Sequence, residues 1–186
     1  WERHLAAAKT LGCRYVVCGN VASEERRTAR DWHELAAVFN RAGEAARAAG
    51  LRFGYHNHEF EFARVQDALP YDVLLAETDP GLVGLELDLA GVAKSGTDPV
   101  VTLDRARSRT FALHVGDPGA VQHRTVGTPS PPTNALKHIL DRARSGGVEH
   151  VIIERDARPA EQIEQARRSE ELSDVRRRGP GDNEPR

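Results

Sequence analysis

The sequence predicts an α/β fold in which a parallel sheet is assembled from repeated strand–helix units. Short apolar runs of strand length alternate about five times with longer amphipathic or alanine-rich runs over the 186 residues. Such alternation requires crossover helices between parallel strands. A histidine or carboxylate also stands near the C-terminal end of most of the apolar runs. The intervals are close to the roughly 30 residues that a βα unit of an eight-stranded barrel takes.

Residues 1–12, WERHLAAAKTLG, predict a helix stopped by Gly12. RYVV follows as a buried strand near 14–18. Residues 31–50 are alanine-rich and amphipathic, with Asp31 as cap and Gly50 as stop. LRFGYHNHEF gives a strand near 52–58, YDVLLAETD a short helix, and LVGLELDL a strand near 83–89. Asp98-Pro99 opens the next helix as a cap followed by proline at the first helical position. TFALHVGD gives a strand near 111–115, and 116–133 read as a Gly-, Pro- and Thr-rich loop. NALKHILDRARSGG is a helix, VEHVIIER a strand near 149–154, and PAEQIEQARRSEEL a final helix. The reading is one domain over 1–176 and a disordered tail over 177–186, whose RRRGPGDNEPR offers nothing apolar to bury.

Composition narrows the function classes. Hydrophobic residues make up 39 % and charged residues 29 %, which suits a globular core. The formal net charge is −2 and no basic face is evident outside the tail, which argues against a nucleic-acid partner. No apolar run approaches the roughly 18 residues that a membrane span needs. No signal peptide is visible, and Cys13 and Cys18 are expected as buried thiols in a reducing cytoplasm. A small-molecule substrate is the expected partner, and a homo-oligomer remains open.

Alternation along a strand decides which residues share a face. In FGYHNHEFEF, His56 and His58 point the same way, and in GLELDL so do Glu86 and Asp88. His114 lies near the end of FALHVGD, and Glu154 near the end of HVIIERD. His56, Asp88, His114 and Glu154 are expected at one height on neighbouring strands, at the end where parallel α/β proteins build their sites. Burying four such groups without a cation would be costly. The mixed N/O set suits a divalent metal such as Mn²⁺, Zn²⁺, Co²⁺ or Fe²⁺, with Mg²⁺ kept among the candidates.

YHNHEFEF, PYDVLLAETDPGLVGLELDL, the K-S-G-x-D-P of residues 94–99, LHVGD and VIIERD together resemble the sugar phosphate isomerase/epimerase superfamily, over about residues 3 to 172. The resemblance implies a xylose isomerase-like TIM barrel. It also implies one divalent metal held at the ends of four successive strands by Glu, Asp, His and Glu. Those positions correspond to His56, Asp88, His114 and Glu154, with His56 replacing the commoner glutamate as in a Y-H-N-H subgroup. The implied activity is isomerisation, epimerisation or dehydration of a sugar, sugar phosphate or keto-polyol through an enediolate, with Glu154 as acid/base. His58 or Glu86 is the candidate second base. Lys94, Asp117 and Asn57 are the candidate substrate contacts. Because the first glutamate is missing, one-base isomerisation or dehydration fits more easily than two-base epimerisation.

The resemblance has departures. Gly116 stands where a lysine is usual, VGTPSPPT replaces a G-E-G loop, and Ala90-Gly91 replaces an aromatic pair. Counted back from the four ligand strands, RYVV would be the fourth of eight. The expected fold is therefore an incomplete (β/α) barrel of about the last five βα units, truncated at the N-terminus. Two other functions compete: a degenerate sugar-binding protein of the same fold that lacks turnover, and an apurinic endonuclease-like hydrolase.

Overall fold

In a computed structural model of the chain, residues 1–115 and 135–153 are described. Five strands form one sheet in sequence order, every neighbouring pair parallel: β1 (Tyr15–Cys18), β2 (Arg52–His56), β3 (Val83–Asp88), β4 (Thr110–Val115) and β5 (His150–Ile153). Six helices accompany them among the described residues: α1 (Glu2–Thr10), α2 (Ala29–Ala48), α3 (Pro70–Glu77), α4 (Leu89–Lys94), α5 (Pro99–Ala106) and α6 (Ala135–Ser145). The parallel strands are those that the strand–helix alternation predicts, and they form the half-barrel that the resemblance implies.

The boundaries differ from expectation where side chains recruit backbone. α2 starts three residues early because Thr28, not Asp31, is its cap. The Thr28 hydroxyl accepts from the Asp31 N–H, and the Asp31 carboxylate accepts from the Thr28 N–H at 2.8 Å, so Asp31 closes a capping box from inside the helix. β2 stops at His56, so His58 lies beyond the strand. α4 was not expected. It begins at the residue after Asp88, whose carboxylate accepts from the N–H groups of Ala90 and Gly91. Asp98 caps α5 as the Asp-Pro pair suggests, accepting from Val100 N–H at 2.7 Å.

One face of the sheet carries the core. Phe53, Tyr55, Val83 and Leu85 pack with Leu5, Trp32, Ala36, Phe39 and Leu74, and Leu87, Leu113 and Val115 pack with Tyr71, Val92, Leu103 and Ile139. The opposite, concave face has a different filling. The register shifts between Leu85 and Glu86 on β3, where Leu85 pairs with Thr110 and Glu86 with Ala112. The extra residue, Phe111, lies across the paired glycines Gly54 and Gly84; a Cβ on either would come within 2.6 or 2.8 Å of its ring. Tyr15 stacks on Phe111 with ring centroids 4.2 Å apart.

Glu149, just before β5, accepts from Tyr15 Oη and Arg52 Nη1, each at 2.6 Å, and from Arg14 Nη2 at 2.8 Å. The two edge strands of a flat five-stranded sheet would stand about four spacings of 4.8 Å apart, beyond side-chain reach. The contact therefore records a strongly curved sheet. The hydrogen bonds from Tyr15 and Arg52 hold the Glu149 carboxyl well below its ordinary range, at about 2.

Cys13 is exposed and Cys18 half-buried, both as free thiols, which corrects the expectation that both are buried. Among the described residues no helix is long and apolar enough to cross a membrane. The expected final helix and the tail at 177–186 lie outside the described residues.

Candidate metal centre

The C-terminal ends of β2, β3 and β4 bring His56, Asp88 and His114 together. One ligand-competent atom from each lies within 4.8 Å of those from the other two. The His56 and His114 ring centroids are 4.8 Å apart, and Asp88 Oδ1 is 3.7 Å from His114 Nδ1. All three side chains are mostly buried. The residues are not level in the hydrogen-bond register: His56 pairs with Glu86, and Asp88 pairs with His114. From β2 to β3 the ligand position moves two residues forward, the stagger that tilted barrel strands require. The expected common height therefore holds along the ladder for Asp88 and His114, and His56 stands two residues short of it.

The surroundings hold each group in place. His56 Nδ1 is 3.0 Å from Glu86 Oε1. Burial alone would push the His56 imidazole down, but the Glu86 hydrogen bond and the charges of Glu86 and Asp88 outweigh it and raise it. Asp88 is held from both sides. Its carboxylate caps α4, and its backbone N–H and C=O are bound by the Asn57 side chain at 3.0 and 3.3 Å. Asn57 is 2 % exposed, and this double bond is where its amide is committed. Gly91 makes the arrangement possible: a Cβ there would meet Asp88 Oδ2 and the His58 carbonyl carbon, each at 2.7 Å.

His58 stands on the loop beside the cluster, its ring 5.0 Å from that of His56 and stacked on Phe60. Burial and the neighbouring His56 hold its imidazole below the ordinary range. Its Nδ1 has no hydrogen-bond partner among the described residues. Beneath it lies Glu61, fully buried, accepting from the Tyr55 hydroxyl and, at 2.8 Å, from the His58 N–H. Burial pushes the Glu61 carboxyl up, while those two donors pull it down. Glu61 is a site neighbour that no strand-end pattern marks. The available signal was a lone carboxylate between Phe60 and Phe62, three residues after His58. Lys94 is exposed at the last residue of α4. Glu154 and Asp117 lie outside the described residues.

Two imidazoles and a carboxylate, with donor atoms close enough to share one partner, fit a divalent cation bound at about 2.0–2.2 Å. His56, Asp88 and His114 are the residues that would hold it.

Comparison with known proteins agrees with this architecture. An inosose dehydratase from Lacticaseibacillus casei is 33 % identical over 87 residues, 47 % of this chain and 28 % of that protein. One from Lactiplantibacillus plantarum is 34 % identical over 90 residues, 48 % of this chain and 29 % of that protein. The crystal structure of a sugar phosphate isomerase/epimerase from Parabacteroides distasonis superposes with a TM-score of 0.71 at 25 % identity, covering 86 % of this chain and 57 % of that one. The matched stretch is thus under a third of the curated relatives and little more than half of the solved structure. The family model for the xylose isomerase-like TIM barrel matches residues 1–172, nearly the whole sequence, and the chain belongs to that family.

Proposed function

We propose that the chain forms the metal-binding half of a divalent-metal-dependent enzyme that dehydrates or isomerises a keto-polyol or keto-sugar through an enediolate. The observation that carries this reading is the convergence of His56, Asp88 and His114 at three successive strand ends. The resemblance to proteins named inosose dehydratase supports the substrate class.

A bound divalent cation would polarise the substrate carbonyl and stabilise the oxyanion that forms as the adjacent proton leaves. The chain's own residues would supply the rest. His56, Asp88 and His114 fix the cation, with Glu154 proposed as the fourth ligand. Asn57 holds the Asp88 backbone so that its carboxylate keeps its aim. Proton removal is assigned to Glu154 or to His58, which stands at the edge of the cluster. A positioned base of this kind contributes roughly 10²–10⁴-fold. With one such base acting on one face of the substrate, loss of water or a shift of the carbonyl is favoured over inversion, which needs proton transfer on both faces.

The test is exchange at the α-carbon. The protein loaded with Mn²⁺ is incubated with inososes, ketoses and ketose phosphates carrying deuterium next to the carbonyl, and wash-out into water is followed by NMR. The reading expects metal-dependent wash-out from at least one class, with a rate that falls at least ~10²-fold in Glu154→Gln or in a His58 variant. Metal-loaded protein that exchanges none of them would contradict the reading and favour a sugar-binding protein without turnover.

A further inference from the structure

Glu86 shares the inner face of β3 with Asp88, two residues nearer the N-terminal end, about 6.6 Å deeper along the strand. It is paired in register with His56 across the β2–β3 ladder, and its Oε1 lies 3.0 Å from His56 Nδ1. The two side chains are 12 % and 13 % exposed, so water competes weakly for this bond. Adjacent hydrogen-bonded strands fix both Cα atoms, which sets the pair before any ligand arrives.

We propose that Glu86 is a positioning residue: it orients His56 as a hydrogen-bond acceptor and does not carry the substrate proton. The inference rests on the metal reading of the site. A carboxylate accepts only, so the bond requires the proton on Nδ1. That leaves the Nε2 lone pair as the donor toward Asp88 and His114. Without the acceptor, an imidazole exchanges between tautomers and rotates about its outer torsion, and each alternative state withdraws the ligand atom. The carboxylate also makes the imidazole a stronger donor. A base would need to stand at the open end, where a substrate enters. Glu86 is level with His56 on the ladder, two residues before the C-terminal end of β3, and is already engaged with the His56 ring.

Three forms of the protein separate acceptor from base: wild type, Glu86→Gln, which keeps an oxygen acceptor of the same reach, and Glu86→Leu, which keeps only bulk. Mn²⁺ affinity is measured by titration, and the tautomer of His56 by ¹⁵N NMR of metal-free wild type in alkaline buffer. The expected results are an Nδ1–H tautomer for His56, affinity within a few-fold of wild type for Glu86→Gln, and a loss of ~10–100-fold for Glu86→Leu. The turnover lost by Glu86→Leu is recovered by raising Mn²⁺, because the fault lies in occupancy. A His56 protonated on Nε2 would overturn the proposal, as would equal affinity of Glu86→Leu and wild type. Intact Mn²⁺ binding with ~10²-fold lost turnover in Glu86→Gln would make Glu86 a base instead. Wild-type protein that takes up no Mn²⁺ overturns the metal reading and the inference with it. The tautomer measurement needs no variant, so a misfolded Glu86→Leu does not block the test.

Discussion

Replacing Gly91 by alanine probes how tightly the candidate site is built. Gly91 lies in the first turn of α4, and its N–H donates to Asp88 Oδ2 at 2.9 Å. A new Cβ would sit 2.7 Å from that oxygen and 2.7 Å from the His58 carbonyl carbon, about 0.7 Å short of ordinary contact at 3.4 Å. His58 is met at its backbone, so no side chain can swing aside there. The strain must be relieved by moving the Asp88 carboxylate, the 57–58 loop or α4 by several tenths of an ångström. Metal sites tolerate about 0.2 Å in ligand distance, so the shift exceeds the tolerance. Overpacking of this kind costs about 1–3 kcal/mol in stability, and a misplaced ligand shell costs about 10–100-fold in affinity. The assay is paired: Tm of the metal-free protein and Mn²⁺ titration of wild type and Gly91→Ala. The expectation is a Tm lower by several degrees and Mn²⁺ affinity lower by ~10-fold or more. Unchanged Tm and affinity would show that α4 and the 57–58 loop are not packed as described.

Asn57→Leu removes both bonds to the Asp88 backbone and leaves its buried N–H unpaired, at about 1–3 kcal/mol, while the Asp88 C=O keeps the first helical bond of α4. Urea unfolding should show a loss in that range, while a midpoint equal to wild type would remove Asn57 from the support of Asp88. Glu149, depressed to about 2 by the Tyr15 and Arg52 hydrogen bonds, gives a signed pH dependence. Because its folded value lies below its unfolded one, its contribution is present above about pH 4.5 and fades as pH falls toward 2. Tm measured across that window should fall less steeply in Glu149→Gln than in wild type, and parallel curves would count against the curved-sheet contact.

The sequence carried the strands well because each one reads locally. RYVV, GLELDL and FALHV are short apolar runs between turn signals, and alternation alone assigns Glu86 and Asp88 to one face. Thr28 and Asp31 fit the capping-box spacing too, so the true start of α2 is legible in the sequence, three residues before Asp31. What stayed hidden depends on partners far along the chain. Asn57 is engaged by a residue 31 positions away, and nothing around it in YHNHEF distinguishes a backbone latch from a substrate contact. The Phe111 bulge is set by Gly54 and Gly84 on two other strands. The two-residue stagger from His56 to Asp88 is a property of barrel shear, which spacing does not encode. Glu61 was missed because burial of a charged residue runs against its usual preference, and only the Tyr55 hydroxyl and His58 N–H above it explain its place.

The central claim is that His56, Asp88 and His114 act together on one divalent cation, and Mn²⁺ binding followed by electron paramagnetic resonance tests it most directly. The free ion gives a sharp signal that bound ion loses, so the titration reads affinity and stoichiometry together. The account predicts one Mn²⁺ per chain, with a sharp loss of binding in Asp88→Asn and in alanine replacements of either histidine, and displacement by Zn²⁺ in line with the two imidazole donors. Binding that survives all three replacements, or no binding by the wild-type protein, would contradict it.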